Sequence, residues 1–270
     1  MLTLLIAILF AAAGVLAGVF LIGSVGWAIT LGVVGFAVPA AALSFWLRKR
    51  LERIFTEVQT GIQHEQEQIQ RQVLRMQNKV SGSTKGLQQQ MEKKQAEGIR
   101  RALQDLDRAK PLFKWNFLAR RQVNTLKAQL YYQIKDFEKA DEFLKDSIAL
   151  DPMTVAIRMA RNYKHGNMEA VEKDFKKHSR RFKYDKGTLL YALYSWILVK
   201  ENRIDEAVEL LAKAKEETED ETLAANWEHL ANGRTKRFSN AGLGEQWYAL
   251  HLETPKAQRP RARGGRRRFR

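Results

Sequence analysis

Five histidines and one run of carboxylates are the side chains that would do chemistry in this chain, and their spacing assembles no site. His64, His165, His178, His229 and His251 show neither the HExxH spacing that puts two ligands on one helix face nor any other metal-ligand pattern. Trp227-Glu228-His229 suggests an acid/base pair, but adjacent residues of a helix point apart. Glu216-Glu217-Thr218-Glu219-Asp220-Glu221 offers carboxylates to a cation without turn geometry to gather them, and reads as a solvated helix end. The sequence holds no Walker loop, GxSxG or GxGxxG. With no cysteine there is no thiolate nucleophile, disulfide framework or Cys-ligated zinc. The expectation is a non-enzymatic protein without catalytic residues, metal or cofactor.

The elements themselves are more informative. Residues 1–47 contain no Asp, Glu, Lys, Arg, His, Asn or Gln, and Arg48-Lys49-Arg50-Leu51-Glu52-Arg53 follows at once. A bilayer core of about 30 Å takes roughly 20 apolar residues per helix, so this stretch suits two spans, with Gly23-Ser24-Val25-Gly26 as the turn. Val38-Pro39-Ala40-Ala41-Ala42 resembles a signal-peptidase site. The missing basic n-region, the length of the apolar run and its continuation into Phe45, Trp46 and Leu47 favour the hairpin. Ala7, Ala11, Gly14 and Gly18 share one face of the first helix; Ala28, Gly32, Gly35 and Pro39 share one face of the second. Such small-residue faces let backbones approach in lipid. The basic cluster is retained on the cytoplasmic side, so the N-terminus and the large C-terminal region are both expected in the cytoplasm, with the protein multi-pass in a membrane.

The net charge of +16 is uneven: residues 48–110 carry 14 basic and 8 acidic side chains, 111–255 carry 24 and 22, and 256–270 carry 8 and none. Charge thus sits near the membrane and in the tail, a pattern that points to anionic lipid headgroups before nucleic acid. From Arg48 the sequence is Gln-rich, with Phe55, Ile62, Ile69 and Met76 in one heptad position and Val73 and Val80 in a second. This spacing predicts a helical stalk whose thin seam would pair in a coiled coil, lie along the domain or rest on the bilayer. Ser81-Gly82-Ser83-Thr84-Lys85-Gly86 predicts a flexible hinge.

Beyond the hinge, helix follows helix. Anchored on Ala140, the segment Ala128, Tyr131, Ala140, Leu144, Ser147, Pro152 resembles the 34-residue tetratricopeptide repeat. Anchored on Ala207, so does Tyr191, Tyr194, Ser195, Leu198, Ala207, Leu211, Ala214. Small residues at the anchor positions let the two helices of a unit approach, and large ones fill the space between units. A weaker middle unit has Ala156, Met159, Ala160 and Tyr163 on one face, His165-Gly166-Asn167 as its turn, and Met168, Val171, Phe175 and Phe182 on the next face. Ile99, Leu103, Leu106 and Pro111 suggest a partial leading unit. Residues 223–232 and 243–253 suggest a capping helix pair, with Ser239 or Asn240 capping the last helix.

The resemblance implies a protein-binding groove lined by the first helix of each pair. Carried over by position, the groove sites are Gln122, Thr125, Gln129 and Tyr132, then Leu189, Ala192, Trp196 and Val199, with Tyr132 and Trp196 as aromatic anchors. The layout, a short hairpin followed by helical repeats, is similar to HemY-type bacterial inner-membrane proteins. A related anchored family carries a rubredoxin-like metal domain with paired cysteines, which a cysteine-free chain excludes.

The final stretch, 255–270, has eight basic residues and almost nothing to bury, so disorder is expected. Arg263, Arg266, Arg267, Arg268 and Arg270, like Arg48, Lys49, Arg50 and Arg53, are candidates to touch anionic lipid. Arg263-Gly264-Gly265-Arg266 with Phe269 also resembles an RNA-binding RGG segment. The fold expected is all-α: a transmembrane hairpin over 1–47, a basic stalk and hinge over 48–86, a repeat solenoid of about three helix pairs plus a capping pair over 87–254, and the tail. The function expected is a scaffold for a protein partner at the cytoplasmic face of a bacterial inner membrane; the alternative is a tethered RNA or ribosome contact through stalk and tail.

Overall fold

The computed structural model describes residues 2–77 and 84–255. Among them every regular element is helical: α1 (Leu2–Ala17), α2 (Val25–Gln77), α3 (Thr84–Leu106), α4 (Phe117–Gln133), α5 (Phe137–Lys145), α6 (Pro152–Lys164), α7 (Met168–Ser179), α8 (Thr188–Lys200), α9 (Ile204–Thr218), α10 (Glu221–Ala231) and the single turn α11 (Glu245–Tyr248). The chain divides into two compact units, Met1–Ile148 and Ala149–Arg270. The division falls within 87–254, so the first repeat shares a unit with the apolar helices.

In the first unit, α1 continues through a π-helical turn, Gly18–Ile22, and reverses at Gly23, whose φ of 68° lies in the left-handed region. The segments Leu2–Phe20 and Val25–Gln72 are each long and apolar enough to cross a membrane. Their small faces meet: a Cβ on Gly14 would lie 2.4 Å from the Leu31 carbonyl oxygen, and one on Gly35 would lie 2.6 Å from that of Phe10. Ala7 and Ala28 are buried in the same contact.

The second of these helices does not stop at the basic cluster. α2 runs unbroken for 53 residues with Pro39 inside it, and its polar half lies along the rest of the unit. Leu47, Leu51, Ile54 and Val58 bury against Ile99, Ala102, Leu103 and Leu106 of α3, and against Ala109 and Leu112 of the 3-10 helix Asp107–Lys114. The buried row is thus offset from the expected seam. Phe55 and Ile62 only flank it, because the apolar face of α3 selects the residues spaced to meet it. The side chains of Val73 and Met76, and all of Val80, fall outside the described residues. α3 therefore pairs with α2, where a partial leading repeat was expected from Ile99, Leu103 and Leu106. The expected hinge is corrected in part, since Thr84, Lys85 and Gly86 are helical. Ser81 to Ser83 lie outside the described residues.

The second unit stacks α6 on α7, α8 on α9 and α9 on α10. Ala156, Met159, Ala160 and Val171 are fully buried, as the middle-unit pattern predicts, and Gly166 takes the left-handed turn at φ 73°. Phe182 is buried but lies beyond the end of α7. Phe175 stacks on Tyr194 at 4.4 Å and meets Tyr191 edge-on at 5.3 Å, which joins α7 to α8. The second helix of the capping pair is not formed. Gly244 sits at φ 60°, ψ −134°, a conformation open essentially to glycine alone, and only the turn Glu245–Tyr248 follows it. Trp247 and Leu250 are nonetheless fully buried.

Candidate functional site

The α4–α5 pair is built as its sequence suggests. Asn116 caps α4 by accepting the Leu118 N–H at 2.8 Å, and Asp136 caps α5 by accepting that of Lys139 at 3.3 Å. Ala128 and Ala140 have no exposed surface, so the helices touch at their small residues. Tyr131 stacks on Phe143 at 5.5 Å. α5 ends at Lys145 and the chain is then tied to α4: the Thr125 hydroxyl accepts the Ile148 N–H at 2.9 Å, and the Asn124 amide donates to the Asp146 carbonyl at 3.3 Å.

These ties decide where the expected groove residues stand. On α4, Thr125 and Tyr132 are buried, Tyr132 against Phe137 at 5.3 Å, whereas Gln122 and Gln129 are partly exposed. On α8, Leu189, Ala192 and Trp196 are buried and Val199 is partly exposed. Trp196 lies between Tyr163 and Trp247, edge-on to each at 5.7 and 5.9 Å. Its indole N–H reaches Glu253 at 2.8 Å. Lys200 sits over its ring at 5.1 Å. The chain's own residues 239–253 thus cover this face of α8.

Asn240 is the residue that fixes the covering segment. It does not cap α11, whose N-cap is Gly244 without a side-chain bond. Instead it is fully buried, accepts from the Asn226 amide at 2.8 Å and donates to the Ala192 carbonyl at 2.9 Å. Asn226 in turn accepts the Ser239 N–H at 2.9 Å. The acidic run also has local uses: Glu217 accepts the Tyr191 hydroxyl at 2.6 Å, and Asp220 caps α10 by accepting the Leu223 N–H at 3.0 Å. Burial and this bond raise the Tyr191 phenol above its usual range. Among the described residues, no three His, Cys, Asp or Glu side chains are placed to hold a metal.

A second surface lies where α2 leaves its apolar stretch. Lys49, Arg50 and Arg53 line a cleft of about 340 Å³ with Trp46, Ile54, Glu57 and Arg108. Arg50 sits over the Trp46 ring at 5.3 Å, and Arg108 pairs with Glu57 at 3.0 Å. Arg48 lies outside the cleft lining and pairs with Glu52 one turn on, at 2.9 Å. Arg108 reaches the cleft only through the packing of α3 on α2, so no local spacing announces it. Arg263, Arg266, Arg267, Arg268 and Arg270 lie outside the described residues.

Residues 122–152 match the tetratricopeptide repeat family, a span that contains most of α4 and all of α5. Neither the curated proteins nor the solved structures contain a match to the chain.

Proposed function

We propose that this protein is a non-enzymatic scaffold, anchored by its N-terminal hairpin in a bacterial inner membrane, that holds a protein partner at the cytoplasmic face through tetratricopeptide-type helix pairs. The observation that carries this reading is the family match on α4 and α5, inside the same unit as two helices long and apolar enough to cross a membrane. Tetratricopeptide pairs generally recognise proteins, so an unidentified protein is the partner class. The cytoplasmic orientation rests on the basic flank of α2. The domain plan of this reading is hairpin 1–47, stalk 48–86, repeats 87–254 and tail 255–270. On α4, Gln122 and Gln129 are the groove positions open to a partner, with Thr125 and Tyr132 buried beside them; on α8, Val199 alone of its four is partly open, since Leu189, Ala192 and Trp196 are buried. Lys49, Arg50 and Arg53 face anionic headgroups, each worth about 1 kcal/mol near such a surface. The RNA or ribosome reading rests mainly on the tail, outside the described residues, and gains nothing from the family match.

The test is site-specific photo-crosslinking in intact membranes, with the crosslinker at Gln129 or, as a control, at the exposed Lys176. A discrete protein adduct from Gln129 alone, surviving nuclease and deletion of 256–270, is the expected result. An adduct lost on nuclease treatment or tail deletion would overturn the scaffold in favour of the RNA contact.

A further inference from the structure

The connection from α3 to α4 carries more apolar surface than its local structure uses. Phe117 and Leu118 open α4 and are 50% and 51% exposed. A hydrophobic staple does not account for them, because the residue four places into the helix, where a staple would close, is Arg120. Their position relative to the hairpin is fixed by a hydrogen bond: the Thr3 hydroxyl, in the first turn of α1, donates to the Trp115 carbonyl at 2.9 Å. The exposed pair therefore lies two and three residues from a point tied to the end of an apolar helix. Exposed Leu4 and Leu5 continue that apolar surface along α1.

Charge and shape around the pair agree. Phe113 and Phe117 form the floor of a shallow cleft of about 480 Å³ rimmed by Lys110, Lys114 and Arg120. From 108 to 121 the sequence holds Arg108, Lys110, Lys114, Arg120 and Arg121 and no acidic residue. Three carboxylates from outside that stretch approach it: Glu57 pairs with Arg108 at 3.0 Å, Asp107 with Lys110 at 3.0 Å, and Asp146 with Arg120 at 2.9 Å and Arg121 at 3.5 Å. Five cations against three carboxylates still leave the stretch positive. Arg121 lies over the Phe117 ring at 5.2 Å. An apolar floor with a cationic rim, continuous with an apolar span, suits the boundary between acyl chains and anionic headgroups, where aromatic rings and basic side chains both find their preferred solvent.

We propose that residues 110–121 form a second membrane contact, with Phe117 and Leu118 seated at the acyl boundary of an anionic leaflet and Lys110 and Lys114 facing its phosphates. This rests on the reading of the hairpin as a membrane anchor. Its consequence is that α4, the first helix of the matched repeat, is held against the bilayer surface at its N-terminal end.

The chain has no cysteine, so full-length variants with one cysteine each can carry an environment-sensitive fluorophore in vesicles of phosphatidylcholine and phosphatidylglycerol. Leu118→Cys reports the contact, Phe117→Cys repeats it with Leu118 intact, Leu9→Cys reports the span and Tyr184→Cys reports water. The expected result is several-fold protection of the 117 and 118 probes from aqueous iodide relative to the 184 probe, together with quenching by shallow spin-labelled lipid. That protection should drop several-fold when phosphatidylglycerol is omitted or Lys110→Glu and Lys114→Glu are combined. If the 117 and 118 probes are as open to iodide as the 184 probe while the 9 probe lies in lipid, the contact is overturned and the anchor stands. If the 9 probe is itself open to water, the anchor reading fails and takes the contact with it.

Discussion

Trp196 and Trp247 donate their indole N–H groups to the two oxygens of one carboxylate, Glu253, at 2.8 and 2.9 Å, with their rings edge-on at 5.9 Å. A residue on α8 and one on α11 are thereby clasped by an acid six places beyond the second. Hydrogen bonds to a charged acceptor are the stronger kind, each contributing about 1.5–3 kcal/mol. Glu253→Ala leaves two buried indole donors without partners. It should destabilise the second unit by about 2–4 kcal/mol, read as a lower urea midpoint and a red-shifted tryptophan emission. An unchanged midpoint would show that the clasp contributes nothing.

A pH effect follows from His178. Burial, and then the Arg158 guanidinium beside it, hold its imidazole below the ordinary value of 6.5, against an opposing pull from Asp174; Lys177 and Arg181 add to the depression. Arg158 can only donate, so the imidazole Nε2 facing it at 3.1 Å must accept, which puts the single proton on Nδ1. As pH falls through about 6.5 the unfolded chain takes up a proton that the folded chain resists. The His178 contribution is complete above that value and declines as pH falls toward the depressed folded value. His178→Gln keeps an acceptor toward Arg158 and removes the titration. The loss of stability from about pH 7.5 to about pH 5 should be smaller in the variant than in the parent, measured by urea unfolding at each pH.

The helix contact in the hairpin predicts opposite outcomes for one substitution at two glycines. Gly35→Ala places a methyl 2.6 Å from the Phe10 carbonyl oxygen and should separate α1 from α2, costing about 1–3 kcal/mol. Gly61→Ala meets nothing within 4 Å on the exposed side of α2 and should stabilise by about 1 kcal/mol through helix propensity. Denaturant titration in mixed detergent micelles gives both signs.

The position of the buried row on α2 predicts that Ile54→Ala costs about 2–4 kcal/mol, whereas Ile69→Ala, outside that row, costs less than about 1 kcal/mol. Equal costs would mean that the heptad seam expected through Phe55, Ile62 and Ile69 is the one that packs.

The parts of the fold legible in sequence are those set by short-range period. Ala128 with Ala140, and Ser195 with Ala207, mark helix contacts because only small residues permit the approach, and all four are fully buried. Asp136 and Asn167 cap the second helix of their pairs for reasons visible within three residues. The features with no local signal depend on distant partners. Arg108 joins a cleft with Lys49 only after α3 lies on α2, and Asn240 reaches the Ala192 carbonyl across 48 residues. Trp196 reads as a groove anchor from its repeat position alone. Nothing local reveals that Trp247 and Glu253 return to cover it. The second capping helix failed for a local reason, Gly244 at positive φ, which the alternation of aromatic residues around it obscured.

The unbroken course of α2 has a mechanical consequence. Fifty-three residues at 1.5 Å each make a shaft of about 80 Å, and no joint interrupts it where charge replaces apolar residues near Leu47. Axial rotation or tilt at the Gly35 contact reaches Ile54 and Val58, and through them α3, only by way of Pro39, whose ring removes the backbone bond to the Gly35 carbonyl and lets the shaft bend there. Torque from the apolar end thus travels along one backbone to the polar end, and bending has Pro39 as its place of relief.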